Sequence, residues 1–384
     1  MCFGNISMCM LKCYSASKKF DYLQLFEPGT LDQSNLVVID EWAQAQDLST
    51  AKTVLFFTTE TLPYCGNWEM QISEIEAKFN IKRNRLIFVC GGSELDYKQQ
   101  VYQCPLGPNK VFYFNYFFNE VVRNNHQIGL NYDHTLPRAK LFDCLLGGRK
   151  PHRIFIYNRL IESGLLDKSV VNLNKGSPWE KQYFGGYKHL DLVLKGPGFT
   201  DLDHLPVYSS PELAQWEIKD VANFKNTRQN DFYSADTLET QKNNFGYHPQ
   251  VSALLPTEVY NNSHYSIVAE TGAELSHFLS EKIAKPVFAK RIFVLFGSAG
   301  LLKHFRNLGF KTFDSILDES YDQEEDNFKR YVKAWEQCQF LATQDPVVIY
   351  NKAAFVLEHN QQHLLKWSNQ LDKLRNFLIK SCDV

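Results

Sequence analysis

Continuous apolar runs recur along the first half of the chain, separated by polar stretches. Such runs do not alternate apolar and polar positions, which is typical of strands buried on both faces of a parallel sheet. They lie at Thr53–Glu60, Arg85–Cys90, Lys110–Phe118 and Lys140–Gly148. Between two of them, "QISEIEAKFN" has the spacing of a short helix. This alternation predicts an α/β fold.

The second half repeats the pattern. "RIFIYNRLIESGLLD" predicts a helix that stops at Gly164, and "SVVNL" predicts the strand that follows. Further on, the pattern predicts a strand at "HYSIVAE", a helix after it, a strand at "RIFVLFG", a helix ending at Gly309 and a short strand at "KTFD". Two α/β blocks predict two Rossmann-like domains with a boundary near residues 145–152.

The predicted organisation has three parts. Residues 1–148 form an N-terminal Rossmann-like domain, and residues 149–352 form a second one with a polar insertion at about 174–260. Residues 353–384 carry a C-terminal amphipathic helix, because apolar residues recur there at three-four spacing. Those residues are Leu364, Trp367, Leu371, Leu374 and Leu378.

Composition narrows the class of protein. The net charge is −2, so no global basic field indicates nucleic-acid binding. The sequence contains no apolar run of about 18 residues, so it predicts no transmembrane helix. The N-terminus lacks the pattern of a signal peptide. The nine cysteines form no CxxC pair, which predicts free thiols in a reducing compartment and argues against zinc. We therefore expect a cytoplasmic protein without membrane or metal partners.

A Ser-Glu-Lys triplet opens the helix after "HYSIVAE". Ser280 has the side chain of a helix cap, and Glu281 suits the positive end of the helix dipole. Lys282 does not suit that end, unless an anion binds beside it and shares the free backbone N–H groups. The alternative is an ordinary capped helix.

A second cationic junction lies in "GGRKPHR", Gly147–Arg153, between a predicted strand and a helix. Arg149, Lys150, His152 and Arg153 concentrate positive charge there. Two such junctions favour a phosphate or diphosphate ligand, which needs several donors. The alternative is a solvated basic turn, since neither a P-loop nor a GxGxxG pattern is present.

Three weaker candidates remain. The glycine turn that begins at Gly297 could approach a nucleotide, or it could be a plain tight turn. Glu60 ends a predicted strand, where a carboxylate can serve as a general base, although a solvated loop glutamate is the alternative. The acidic stretches Asp201–His204 and Asp318–Asp326 give no convincing metal site, and we predict none.

The segment "HYSIVAETGAELSHFLSEKIAKPVFAKRIFVLFG" resembles the donor-binding stretch of the α-1,3-fucosyltransferase family. That stretch has approximately the pattern F-x-x-x-x-E-N-S, then I/V-T-E-K, a helix, and a strand ending in glycine. The corresponding residues here are Glu270, Ser280, Glu281, Lys282 and Gly297. The chain has "ETG" where the family has ENS, which leaves the sugar and the acceptor open.

Two shorter matches extend the resemblance. The family has an arginine that opens a helix and an aspartate fourteen residues later, and Arg153 and Asp167 have this spacing here. The segment "ETLP", which contains Glu60, loosely resembles the family's acidic segment. The region from Lys285 to Asp322, with "GGRKPHR", looks closer still to glycosyltransferase-like chains of tailed phages and giant viruses, which would act in the host cytoplasm.

The resemblance implies a GT-B-like fold and transfer of a sugar from a nucleotide-diphosphate sugar, inverting and without a metal. Lys282 and Arg153 would contact the diphosphate, Glu281 the ribose, and Glu60 would act as the base. Arg149, Glu270 and Gly297 complete the predicted donor site. The acceptor is a glycan or modified DNA. Alternatives are a phage transferase acting on hydroxymethylated bases, a non-catalytic binding protein of the same fold and, less favoured without GxGxxG, a dehydrogenase.

Overall fold

The structure is a computed structural model that falls into two compact units. One unit comprises Met1–Tyr116 with Ser368–Val384, and the other comprises Phe117–Trp367. The residues described are 12–14, 36–40, 44–45, 47–57, 68–92, 106, 110–125, 130, 132–148, 150–173, 208–211, 213, 255–271, 276–367, 373–374, 376–377 and 380.

The first unit contains a parallel five-stranded sheet. Its described strands are β1 (Lys12–Tyr14), β2 (Leu36–Asp40), β3 (Thr53–Phe57), β4 (Leu86–Cys90) and β5 (Val111–Tyr113), and they lie side by side in chain order. Helix α1 (Trp68–Phe79) connects β3 to β4. The described strands of this sheet therefore follow chain order from one edge to the other, and this order does not reverse.

Both faces of this sheet are buried at its centre. Ile72 and Ile75 of α1 belong to one apolar cluster with the side chains of one face, such as Phe56 and Phe88. The opposite face is buried too, since every residue of β3 and β4 is buried. Burial on both faces explains why these strands have continuous apolar sequences.

The second unit contains a five-stranded sheet in the order β10-β9-β6-β7-β8. Its strands are β6 (Lys140–Gly147), β7 (Ser169–Leu173), β8 (Tyr208–Ser209), β9 (Ser263–Ala269) and β10 (Phe293–Phe296). The pairs are parallel except for the edge strand β8, which runs antiparallel to β7. Counted from β6 as one, this is the order 3-2-1-4-5 of the first five strands of a doubly wound sheet, except that β8 is antiparallel.

Seven described α-helices accompany the second sheet. They are α2 (Tyr116–Asn125), α3 (Pro151–Glu162), α4 (Thr257–Asn262), α5 (Glu281–Phe288), α6 (Leu301–Asn307), α7 (Asn327–Ala342) and α8 (Pro346–Leu365). Helix α3 packs with α7, and α5 packs with α8. The chain leaves β6 towards β7 but leaves β9 towards β10 in the opposite direction, so the strand order reverses between β6 and β9.

A buried ion pair joins the strands near the opposite end of this sheet. Arg291 NH2 lies 2.5 Å from Asp143 Oδ2, and both side chains are buried. Ser263 and Ser266 donate hydroxyl protons to the same carboxylate oxygen, and Arg291 also donates to the carbonyl of Tyr260. Further hydrogen bonds thus surround the pair, which a buried pair requires if it is not to destabilise the fold.

The α/β prediction is confirmed, and two element predictions need correction. Lys110–Phe118 is not one strand, because β5 ends at Tyr113 and α2 begins at Tyr116. A short apolar run fits either period. Lys311–Asp314 is not a strand, because side chains bond its backbone. Asn360 binds both the N–H and the carbonyl of Lys311, and Glu319 accepts from Phe313 N.

The unit limits differ from the predicted limits. The predicted boundary at residue 148 follows β6, yet β6 pairs with β7 and β9 at the centre of the second sheet. Helix α8 ends at Leu365, and Ser368–Val384 groups with the first unit. The predicted insertion at 174–260 lies outside the described residues except for β8 with residues 210, 211 and 213, and the segment 255–260. In the described parts of the chain, every helix is too short or too polar to span a membrane.

Candidate functional site

Four of the predicted donor-site residues, Arg153, Glu270, Glu281 and Lys282, lie beyond the carboxyl ends of β6 and β9. Right-handed connections that leave neighbouring strands in opposite directions place their helices on opposite faces of the sheet, and a crevice opens between them. Here α3 follows β6 and α5 follows β9. In open α/β sheets, ligands bind at this point of reversal. We name this region the β6/β9 crevice, formed by the described residues 147–148, 150–153, 270–271 and 276–282.

The start of α3 holds three basic side chains against neighbouring backbone. Lys150 Nζ donates to the carbonyl of Thr271 at 2.9 Å, and Arg153 NH1 donates to that of Gly148 at 3.0 Å. His152 Nε2 lies 2.8 Å from the carbonyl of Glu270. All three side chains are buried. The first turn of α3 is therefore tied to the end of β9.

The start of α5 holds the Ser-Glu-Lys triplet. Ser280 caps the helix, because its Oγ accepts from Lys282 N at 3.2 Å. The Lys282 ammonium pairs with Glu281 Oε1 at 2.6 Å, and the two side chains are 22% and 14% exposed. The cation is therefore partly accessible and balanced by its own neighbour, which agrees with both the cap and the ligand interpretations.

Burial and neighbouring charges shift the pKa values of two titratable groups of the crevice, Glu281 and His152. Burial alone would raise the pKa of Glu281, but Lys282 and Lys285 outweigh burial and lower it. Burial, followed by Arg153 and Lys150, holds the pKa of His152 well below its usual value. The carboxylate of Glu281 is therefore ionised at neutral pH, and the imidazole of His152 is neutral.

Glu270 is fully buried at the end of β9. Its carboxylate accepts hydrogen bonds from Ser280 N at 2.9 Å, Ser280 Oγ at 2.6 Å and Thr271 N at 3.1 Å. Burial raises its pKa, although Lys282 and Ser280 oppose that rise. In this structure Glu270 thus bonds to the protein itself rather than facing solvent.

The glycine turn after β10 is shaped by packing. A Cβ on Gly297 would overlap Leu301 Cδ2, so the glycine makes room for the first turn of α6. The N–H groups of Leu302 and Lys303 donate to the carboxylate of Asp322 at 2.8 and 2.9 Å. The turn therefore does not offer a free helix end to a phosphate, and one residue of the acidic stretch 318–326 fills that role.

The structure brings together Arg153, Glu270, Glu281 and Lys282, and it places Gly297 at the end of the neighbouring strand. Glu60 and Arg149 lie outside the described residues. In the described part of the chain, no group of three or more His, Cys, Asp and Glu side chains could hold a metal ion.

Two contributors to the crevice were not among the predicted donor residues. Lys150 and His152 belong to the basic run at the start of α3, so the charge pattern contained their signal. What the pattern does not contain is their direction, because each reaches a backbone carbonyl of residues 270–271, more than a hundred positions away. Contacts of that range follow from strand order rather than from local sequence.

Fold and geometry together define an α/β protein with basic side chains gathered at the point where the strand order of its second sheet reverses. Comparison with known proteins found no matching family model, curated protein or solved structure.

Proposed function

We propose that the protein is a glycosyltransferase that moves a sugar from a nucleotide-diphosphate sugar to an acceptor hydroxyl. The observation that carries the proposal is the position of the cationic crevice at the reversal between β6 and β9. Nucleotides bind at this point in doubly wound sheets. The resemblance of residues 264–297 to a donor-binding stretch supports the same ligand class.

The charge of the crevice suits a diphosphate. Lys150, Arg153 and Lys282 supply three cations, and Glu270 and Glu281 supply two carboxylates. The starts of α3 and α5 each add about half a positive charge, so the total of about +2 matches the ~2 negative charges of a nucleotide-sugar diphosphate. The proposed donor site holds the diphosphate beside Lys282 and Arg153 and the ribose beside Glu281.

The proposed reaction is a single displacement. The acceptor oxygen bonds to the anomeric carbon, the bond from that carbon to the diphosphate oxygen breaks, and the acceptor proton passes to a general base. Glu60 is the proposed base, from the resemblance and its place after β3. Negative charge develops on the leaving diphosphate, and fixed cations with helix N-termini stabilise such charge without a metal. The proposed arrangement is GT-B-like, with an inverting outcome.

Release of nucleoside diphosphate from a panel of nucleotide sugars tests this proposal. Reactions contain excess EDTA and either glycan acceptors or DNA with hydroxymethylated bases. We expect turnover of at least one donor, and a loss of roughly 10²–10⁴-fold in kcat for Glu60→Gln, the usual contribution of a general base. Binding without any turnover would instead favour a non-catalytic binding protein. Activity that EDTA abolishes and manganese restores would contradict metal-independent transfer.

A further inference from the structure

Glu270 closes the connection between β9 and α5. Its carboxylate bonds residues at both ends of that connection, Thr271 through its N–H and Ser280 through its N–H and hydroxyl. The side chain is 0% exposed. Water therefore does not compete for these three hydrogen bonds, and they fix where α5 begins.

The backbone of Glu270 joins two more elements to the same point. Its N–H donates to the carbonyl of Phe296 at 3.0 Å, which ties it to β10. Its carbonyl accepts from His152 Nε2 at 2.8 Å, which ties it to α3. A carbonyl has no proton to give, so this contact assigns the proton to Nε2 of the neutral imidazole. One residue thus contacts β10, the first turn of α3 and both ends of the connection between β9 and α5.

The direction of the Ser280 hydroxyl links Glu270 to Lys282. A serine hydroxyl has one proton to donate and two lone pairs that accept. Ser280 Oγ donates its proton to Glu270 Oε2 at 2.6 Å. The lone pairs of Ser280 Oγ then face Lys282, whose N–H lies at 3.2 Å and whose Nζ lies at 3.5 Å.

We propose that Glu270 is a positioning residue that acts through the Ser280 hydroxyl to hold the first turn of α5, and with it Lys282, in the geometry that binds an anion. The role of Lys282 rests on the proposed function. The hydrogen-bond chain from Glu270 to Ser280 to Lys282 is independent of the proposed function. Glu270 itself does not contact the ligand, which separates it from Glu281 and Lys282.

A double-mutant cycle tests the chain with inorganic pyrophosphate as the probe. Isothermal titration in EDTA compares the wild type with Glu270→Gln, Ser280→Ala and the double variant. We expect each single variant to weaken pyrophosphate binding about tenfold, and the double variant to bind no more weakly than either single one, because the residues act in series. Ser280→Thr keeps the hydroxyl and should restore binding. Additive losses, or no loss in Glu270→Gln, would overturn the proposal.

The control variant is Ser169→Ala, which removes another buried serine hydroxyl, one that donates to the carbonyl of Leu165 at 2.8 Å outside the crevice. Its pyrophosphate affinity should equal that of the wild type. A lowered affinity in this variant would show that any buried serine loss has the same effect, and would overturn the specific role of Glu270.

Hydrogen exchange without ligand separates this inference from the proposed function. In Glu270→Gln and in Ser280→Ala, the amides of Ser280 and Lys282 should exchange at least about tenfold faster, while those of β10 keep their rates. If the wild type binds no pyrophosphate but exchange changes in this way, the positioning of the α5 start stands and the proposed function fails. If exchange at the start of α5 is unchanged, the positioning role is wrong.

Discussion

Replacing Lys282 by alanine removes the partly exposed cation at the start of α5 and leaves the buried core intact. The ammonium lies 2.6 Å from Glu281 Oε1, and 22% of the side chain is exposed. Both side chains are mostly buried, so the loss of this ion pair should cost more than the ~0–1 kcal/mol of a fully exposed pair. Urea unfolding of Lys282→Ala therefore precedes the binding measurements and establishes that the variant is folded.

The expected effect on ligand affinity is larger. A charge-assisted hydrogen bond contributes roughly 1.5–3 kcal/mol, and about 1.4 kcal/mol corresponds to a factor of ten in affinity. If Lys282 binds the diphosphate, Lys282→Ala should weaken nucleotide-sugar binding by ~10- to 150-fold. The difference should shrink at high salt, because salt screens charges that are in contact with water.

Lys290 provides a matched control at the other end of α5. Its side chain is also 22% exposed, and its ammonium pairs with Glu358 at 2.5 Å. Lys290→Ala should lose an ion pair to a carboxylate side chain that is 54% exposed, and should keep the affinity of the wild type. Isothermal titration with the same nucleotide sugar compares both variants. Equal affinities for Lys282→Ala and Lys290→Ala would refute the assignment, and the triplet would then be only a helix cap.

Three further variants test the packing and charge of the second unit. Gly297→Ala should destabilise it by about 1–3 kcal/mol in urea unfolding, because the new Cβ overlaps Leu301 Cδ2, and adding Leu301→Val should recover part of that loss if the cause is steric. Arg291→Met should cost about 3–5 kcal/mol by leaving the Asp143 carboxylate buried without its partner, and the double variant with Asp143→Asn should be more stable than Arg291→Met, or the ion-pair explanation fails. Burial lowers the pKa of His134 from 6.5 to about 3, so the stability that its neutral ring contributes is present above pH 6.5 and is lost as the pH falls towards 3. The melting temperature of His134→Gln should accordingly fall less than that of the wild type between pH 6.5 and about 4, whereas parallel curves would contradict this reasoning.

The class of fold could be predicted from sequence because burial on both faces leaves a local signal. The residues of β3 and β4 are apolar at almost every position, and the structure buries all of them. Strand order leaves no such signal. That β6 lies between β7 and β9 depends on pairing between residues about 120 positions apart, such as Asp143 and Ser266. The predicted limit at residue 148 failed to separate the sheets for this reason.

The candidate site, like the fold, could be predicted from sequence only where its residues leave a local signal. The triplet at 280–282 and the basic run at 147–153 were visible as charges that a helix start does not explain. Their partners were not visible, because they come from connections that meet only in the folded chain. Glu270 is an example, since its burial and its bonds to Ser280 follow from the meeting of β9 and α5. Likewise, nothing local singles out Asp322 within an acidic stretch as the residue that caps α6.

The central claim is that nucleotide sugars bind in the β6/β9 crevice, and photocrosslinking tests it most directly. Azido-purine and azido-uridine diphosphate sugars are irradiated with the full chain, and the labelled peptides are mapped by mass spectrometry. Label in peptides covering 147–160 and 270–290, suppressed by excess unmodified nucleotide sugar and reduced in Lys282→Ala, is the predicted result. Competable label confined to other parts of the chain would contradict the account.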